Sequence, residues 1–144
     1  MSEQHQKPLP VRFDPVNFAD HRRELEGPIA TKGMLRLRDN VVASDEMVSA
    51  KLSFSRGLYG YPLVEGEVMA FVTMRCVRCL YDVQVELNPD ISVLVKPEDE
   101  ILPQNEGDKE DVKDADRLDI HEYDGKSFVL SDLVEEELLL ALPL

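Results

Sequence analysis

The chain has 144 residues, 43% of them hydrophobic, and carries a net charge of −13 from 16 Lys and Arg against 29 Asp and Glu. That length fits one domain with one core, no run of about 18 apolar residues could span a bilayer as a helix, and the sign of the charge is wrong for a protein that coats nucleic acid by counterion release. The opening "MSEQHQKPLP" has no apolar stretch of the secretory kind, so the expected setting is the cytoplasm, where thiols stay reduced.

The charge is unevenly spread. Residues 98–124 hold twelve acids and three bases, which is −9 of the −13. Residues 1–38 are slightly basic, with seven Lys and Arg against five Asp and Glu, and Arg22, Arg23, Lys32, Arg36 and Arg38 crowd together in sequence.

Asp14 as N-cap, Pro15 at the first helical position and a stop at Gly27-Pro28 predict a helix over about 15–26. Its apolar face is thin, with Phe18 and Leu25 seven residues apart. From Ile29 the period changes to two, and "MLRLR" (34–38) reads as an edge strand. "VSAKLSFS" gives the cleanest alternation, placing Val48, Ala50, Leu52 and Phe54 on one face of a half-buried antiparallel strand. A second long strand is expected over 63–76, with Val64, Val68, Ala70, Val72, Met74 and Cys76 on one side. A third puts Cys79, Tyr81, Val83, Val85 and Leu87 on a common face, so the cysteines bracket the turn between paired strands. "PDISVLV" adds a strand near 91–95. The stretch from about 97 to 119 is acidic, aperiodic and poor in apolar residues, which predicts a solvated, flexible loop. "KSFVL" reads as a last short strand, and Ser131 as the cap of a closing helix whose apolar face is Val134, Leu138, Ala141 and Leu142. The expected class is α+β: a mainly antiparallel sheet or open barrel, with a helix near each terminus and a long acidic loop.

Cys76 and Cys79 are the two cysteines of the chain and form a single C-x-x-C. Dithiol catalysis wants such a pair at a helix N-terminus, where the dipole and free N–H groups stabilise the thiolate, but strand periodicity follows Cys79. A disulfide across so short a loop constrains the unfolded chain little. A zinc knuckle suits the spacing, yet structural zinc takes four ligands, and His5, His21 and His121 are scattered. From the residues alone the pair is an inert reduced pair, a site shared in a dimer, or half of a site.

"CVRCL", followed far downstream by "DLVEEELLLALPL", resembles the YceD family of bacterial and plastid proteins. The likeness also takes in "VRFDPVNFADHRRELEGPI", "KLSFSR" and "GYPLVEGEV". The family motif falls on Cys76, Arg78, Cys79 and Leu80, and on Asp132, Leu133, Glu136, Leu138, Leu139, Ala141 and Pro143. The resemblance implies a non-catalytic role in the accumulation of large-subunit ribosomal RNA. It also implies a short tail bearing a His and a Cys, where this sequence stops at Leu144. On that basis Cys76 and Cys79 are expected to be half of a zinc site, with no cofactor held by the chain as it stands.

Two modes of action are open at this point. The chain could bind ribosomal RNA or a precursor particle through Arg22, Arg23, Lys32, Arg36 and Arg38, joined by Arg75 and Arg78. Alternatively it is an acidic adaptor or chaperone for a basic ribosomal protein, with the loop from Glu98 to Asp124 acting as an electrostatic lure or RNA mimic. An enzyme is not expected: no nucleophile elbow, Gly-rich phosphate loop or zinc-protease motif occurs.

Overall fold

The computed structural model describes residues 9–101 and 119–143. Strand β1 (Arg12–Phe13) leads to α1 (Pro15–Asp20), β2 (Glu24–Ala30), α2 (Leu35–Asn40), β3 (Ala43–Ser44) and β4 (Met47–Arg56). A single 3-10 turn, Leu58–Gly60, precedes β5 (Pro62–Arg75), β6 (Asp82–Leu87) and β7 (Asp90–Pro97). The chain closes with β8 (Asp119–Tyr123), β9 (Phe128–Val129) and α3 (Leu130–Ala141). The class is α+β, as expected. The main sheet runs β2-β4-β5-β7-β8, with β3 and β6 also on β5, and is antiparallel except where β7 meets β8; it is open rather than a closed barrel.

The core lies on one face of this sheet, because the alternating residues Val48, Ala50, Leu52 and Phe54 of β4 and Val64, Val68, Ala70 and Val72 of β5 all point the same way and are buried. α3 contributes Leu130, Leu133, Val134 and Leu138 to it. At one end Phe13, Phe18, Phe54 and Phe128 form an aromatic cluster, with Phe13 stacked on Phe18 at 4.0 Å and meeting Phe54 edge-on at 5.5 Å.

Three elements depart from the periodicity. α1 begins where expected, with the Asp14 carboxylate accepting from the Val16 N–H at 2.9 Å, but ends at Asp20 rather than about residue 26. Arg22 turns into the left-handed region (φ 48), and Leu25 and Ile29 then bury on one side of β2, whose seven residues pair with β4. Gly27 and Pro28, read as a helix stop, sit inside that edge strand, where a missing N–H costs no ladder bond. "MLRLR" is correspondingly not a strand: Met34 and Leu37, three apart, are buried while Leu35 is exposed, which is helical spacing. Ser131 is not the cap of α3, which starts one residue earlier, at Leu130, with Val129 at the cap position and no side-chain bond.

β8 was hidden by the acidity around it. It pairs parallel to β7, and the buried Lys96 ammonium of β7 meets the Glu122 carboxylate at 2.8 Å and donates to the Pro97 and Glu100 carbonyls. Residues 102–118, most of the expected loop, lie outside the described part of the chain.

β5 passes so close to β4 that Gly66 is required. Its φ is +149, and a Cβ there would sit 2.0 Å from the Lys51 carbonyl oxygen. Gly66→Ala should therefore lower stability by at least about 2 kcal/mol, because rigid backbone and not a movable side chain opposes it. Gly33→Ala, with nothing within 4 Å, should change the urea midpoint little.

Glu137 on α3 is buried, and burial first, then Asp119 and Glu136, raises its carboxyl above the ordinary value of 4.5. A raised folded pKa means the folded chain holds this proton more tightly than the unfolded chain. The penalty is absent below about pH 4.5 and grows as pH rises through the folded value. Glu137→Gln should raise thermal stability at pH 7 and leave it unchanged at pH 4, checked by melting curves at both.

Candidate functional site

The hairpin of β5 and β6 leaves the body of the sheet. β5 pairs with β4 only as far as Met69; from Ala70 to Arg75 its neighbours are β6 on one side and the two-residue β3 on the other. Residues 77–84 are all exposed. The alternating face predicted from sequence is present, but it runs out of core: Leu87 is 3% exposed, Val83 43% and Tyr81 75%.

Cys76 and Cys79 sit in the turn at the tip of this arm, both as free thiols. The turn is closed by the Cys76 N–H donating to the Tyr81 carbonyl at 2.9 Å and the Leu80 N–H to the Cys76 carbonyl at 2.8 Å. Leu80 takes a left-handed conformation (φ 62), an uncommon one for a residue with a Cβ. The Cys79 and Arg78 backbone N–H groups point at the Cys76 sulfur, and with the Cys79 side chain they hold that thiol below its ordinary range. The turn thus places two thiols, at most two of the four ligands that structural zinc takes, at an exposed tip. Among the described residues no group of three or more His, Cys, Asp or Glu side chains is placed to hold a metal ion. His121 is instead engaged with Glu136 at 2.9 Å, bridging β8 and α3. The Nδ1 of His21 bonds the Asn17 carbonyl on α1 at 2.8 Å.

The seven basic residues singled out by sequence do not form one patch. β2 separates them: Arg22 and Arg23 precede its first residue and Lys32, Arg36 and Arg38 follow its last, about 20 Å away for seven extended residues. Arg23 lies over the Phe18 ring at 4.5 Å, beside the aromatic end of the core. Lys32, Arg36 and Arg38 share the opposite end with the arm, since the segment leaving α2 meets β5 there, the Val42 N–H donating to the Thr73 carbonyl at 2.7 Å. Arg75 and Arg78 belong to that end too. The register thus puts five of the seven toward one end of the sheet, together with the acids Asp39, Asp45, Glu46 and Asp82.

Their charges are not equally free. The guanidinium of Arg36 donates twice to one oxygen of the buried Glu135 carboxylate, at 3.3 and 3.2 Å, while the other oxygen accepts the Leu37 N–H at 3.1 Å. Arg36 therefore ties α2 to α3. Arg75 faces Asp82 across the hairpin at 3.4 Å, an exposed pair of little energetic weight. Lys32 and Arg38 line an open groove of about 1060 Å³ together with Asp39 and Glu46, beside Leu35, Val42 and Met47.

The opposite charge is organised as well. The solvent face of the sheet carries Glu24 and Glu26 on β2, Glu65 and Glu67 on β5 and Asp90 on β7, around Lys51 of β4. Lys51 is the register partner of Glu26 on one side and Glu67 on the other, and the face holds five carboxylates against one ammonium. Sequence reading places Tyr81 on a strand face without a functional role, takes Glu135 as an acid in the first turn of the closing helix, and passes over this sheet face. The period of two in β2, β4 and β5 could have shown the last, because each of those acids falls at an outward position.

No helix among the described residues is long and apolar enough to cross a membrane. No solved structure matches the chain. The profile of the family described as large ribosomal RNA subunit accumulation protein YceD matches residues 64–144, from within β5 through the cysteine turn and α3. The N-terminal segments that resemble the family lie outside that match. The matched part is more than half of the chain and holds both cysteines, the arm and the Glu135 carboxylate that anchors α2, and the chain belongs to the YceD family, whose name ties it to accumulation of large-subunit ribosomal RNA.

Proposed function

We propose that this chain supports accumulation of large-subunit ribosomal RNA as a non-enzymatic, cytoplasmic assembly factor that docks on ribosomal RNA or a precursor particle by its hairpin end. The observation that carries this reading is the exposed arm of an otherwise acidic molecule, whose residues 75–81 hold Arg75 and Arg78 and no acid, with Lys32 and Arg38 toward the same end of the sheet beside Asp39 and Glu46. Segregation matters because the net charge repels RNA, and only a locally positive end turned toward the phosphates can be attracted at short range. Replacing Lys32, Arg38 and Arg78 together by Glu should abolish co-sedimentation with large-subunit precursors and lower the salt slope of RNA binding by about 2 to 3. Co-sedimentation equal to the wild type would overturn the reading. None of the three has a side-chain salt bridge among the described residues, so the fold should survive.

A second reading is favoured by the acidic sheet face. Glu24, Glu26, Glu65, Glu67 and Asp90 offer a basic ribosomal protein a surface of fixed negative charge, as an adaptor would. Affinity capture with and without nuclease separates the two: partners retained after nuclease and lost when Glu65 and Glu67 become Lys belong to the adaptor.

The cysteine turn is read as half of a zinc site. Cobalt(II) added to the reduced chain should give a sulfur-to-cobalt charge-transfer band that Cys76→Ser or Cys79→Ser removes. A tetrahedral spectrum with four ligands supplied by one chain would rule out a half-site.

A further inference from the structure

The arm carries an apolar strip that no other described residue covers at its outer end. Along the inner face of β6, exposure climbs from buried Leu87 through Val83 to Tyr81, and across the hairpin half-buried Met74, the register partner of Val83, joins the strip to the core. Inside the body of the sheet the same face is packed; beyond it the alternation continues into solvent. Apolar surface held out on a regular, hydrogen-bonded scaffold lowers the free energy only when something flat or apolar covers it.

The charge of the same segment narrows what that is. Residues 75–81 contain Arg75 and Arg78 and no acid, and the neighbouring Asp82 leaves the tip with a net positive charge within a chain of net charge −13. An aromatic ring beside arginines on a narrow apex suits a nucleotide, whose base has an apolar face and whose phosphate is an anion. It does not suit duplex RNA, whose bases are stacked away and whose deep groove side chains cannot read. Two paired strands about 5 Å apart would reach a duplex only through phosphates and leave Tyr81 and Val83 unused.

We propose that the tip of the hairpin binds unpaired RNA, with one splayed-out base stacked on the Tyr81 ring against Val83 and the adjoining phosphate held by Arg78 and Arg75. The inference rests on the RNA-docking reading above and specifies which form of RNA the arm takes. A basic or acidic protein partner at this tip is the competing outcome.

The test uses the whole chain, a labelled 12-nucleotide polyuridine and a 16-base-pair RNA duplex, with fluorescence anisotropy at low salt. The oligonucleotide should bind more tightly than the duplex and quench tyrosine emission. Tyr81→Ala should weaken oligonucleotide binding by at least about five-fold, as loss of one stacked base requires, without changing duplex binding. Tyr81→Phe should keep it within about two-fold. Tyr81 is exposed, so the variants should unfold at the wild-type urea midpoint. Equal binding of both RNAs, or a Tyr81→Ala variant that binds as the wild type does while Arg78→Glu loses RNA, overturns the stacking proposal and leaves RNA docking intact. Binding to nuclease-treated particle protein with no affinity for either RNA overturns both.

Discussion

The fold hangs on one strand and on the one residue that lets its neighbour come close. β5 is 14 residues long and pairs with β4 and β3 along one edge and with β7 and β6 along the other. Gly66 permits the tight passage over the Lys51 carbonyl, and from there Val68, Ala70 and Val72 hold the buried face in register. A slip of one residue would exchange that face for Glu65, Glu67 and Met69. Because β5 outruns β4, its last residues leave the sheet with β6 as their main support, and that excess length makes the arm.

A second tie is electrostatic. Glu135 is buried on α3, and burial of a carboxylate is tolerable only when its lone pairs are occupied. Arg36 and the Leu37 N–H occupy them, which fixes the six-residue α2 against α3. A helix that short has little stability of its own. The clamp links residues outside the family match to residues inside it, so the groove that Lys32 and Arg38 share with Asp39 and Glu46 is positioned by a carboxylate about a hundred positions away in sequence. Arg36 consequently serves the fold, and Lys32, Arg38 and Arg78 remain the charges available to a partner.

A chain of net charge −13 is not uniformly hostile to a polyanion. At physiological salt, charges more than about 8 Å apart are strongly screened, so a phosphate at the hairpin tip responds to Arg75 and Arg78 rather than to the sheet face with its five carboxylates. Under the proposed function, this placement of charge would orient the molecule, with the arm toward RNA and the acidic sheet face away from it or toward basic protein. The cysteine turn fits the same picture, since a left-handed Leu80 and N–H groups aimed at the Cys76 sulfur shape the tip that presents Arg78 and Tyr81.

By itself the sequence determined β4, the β5–β6 hairpin with both cysteines in its turn, β7, the start of α1 at Asp14 and the apolar face of α3. Apart from the Asp14 cap, each is a run of periodic residues, and both the cap and the period are local signals, even where the hairpin carries its alternation beyond the core. Tertiary structure decided the rest. Arg22 broke α1 and Leu25 with Ile29 drew the following residues onto β4, although Gly27 and Pro28 mark a helix stop. Met34 and Leu37 coiled a segment that alternates like a strand, because α3 offered a surface and Glu135 a partner. β8 formed from five residues within an acidic stretch because β7 supplied the ladder and Lys96 a counter-charge for Glu122. The basic residues that crowd together in sequence were divided by a strand about 20 Å long, and two from the distant arm joined one group. Segments this short carry too little free energy to choose their own conformation, so the choice fell to whatever packed against them.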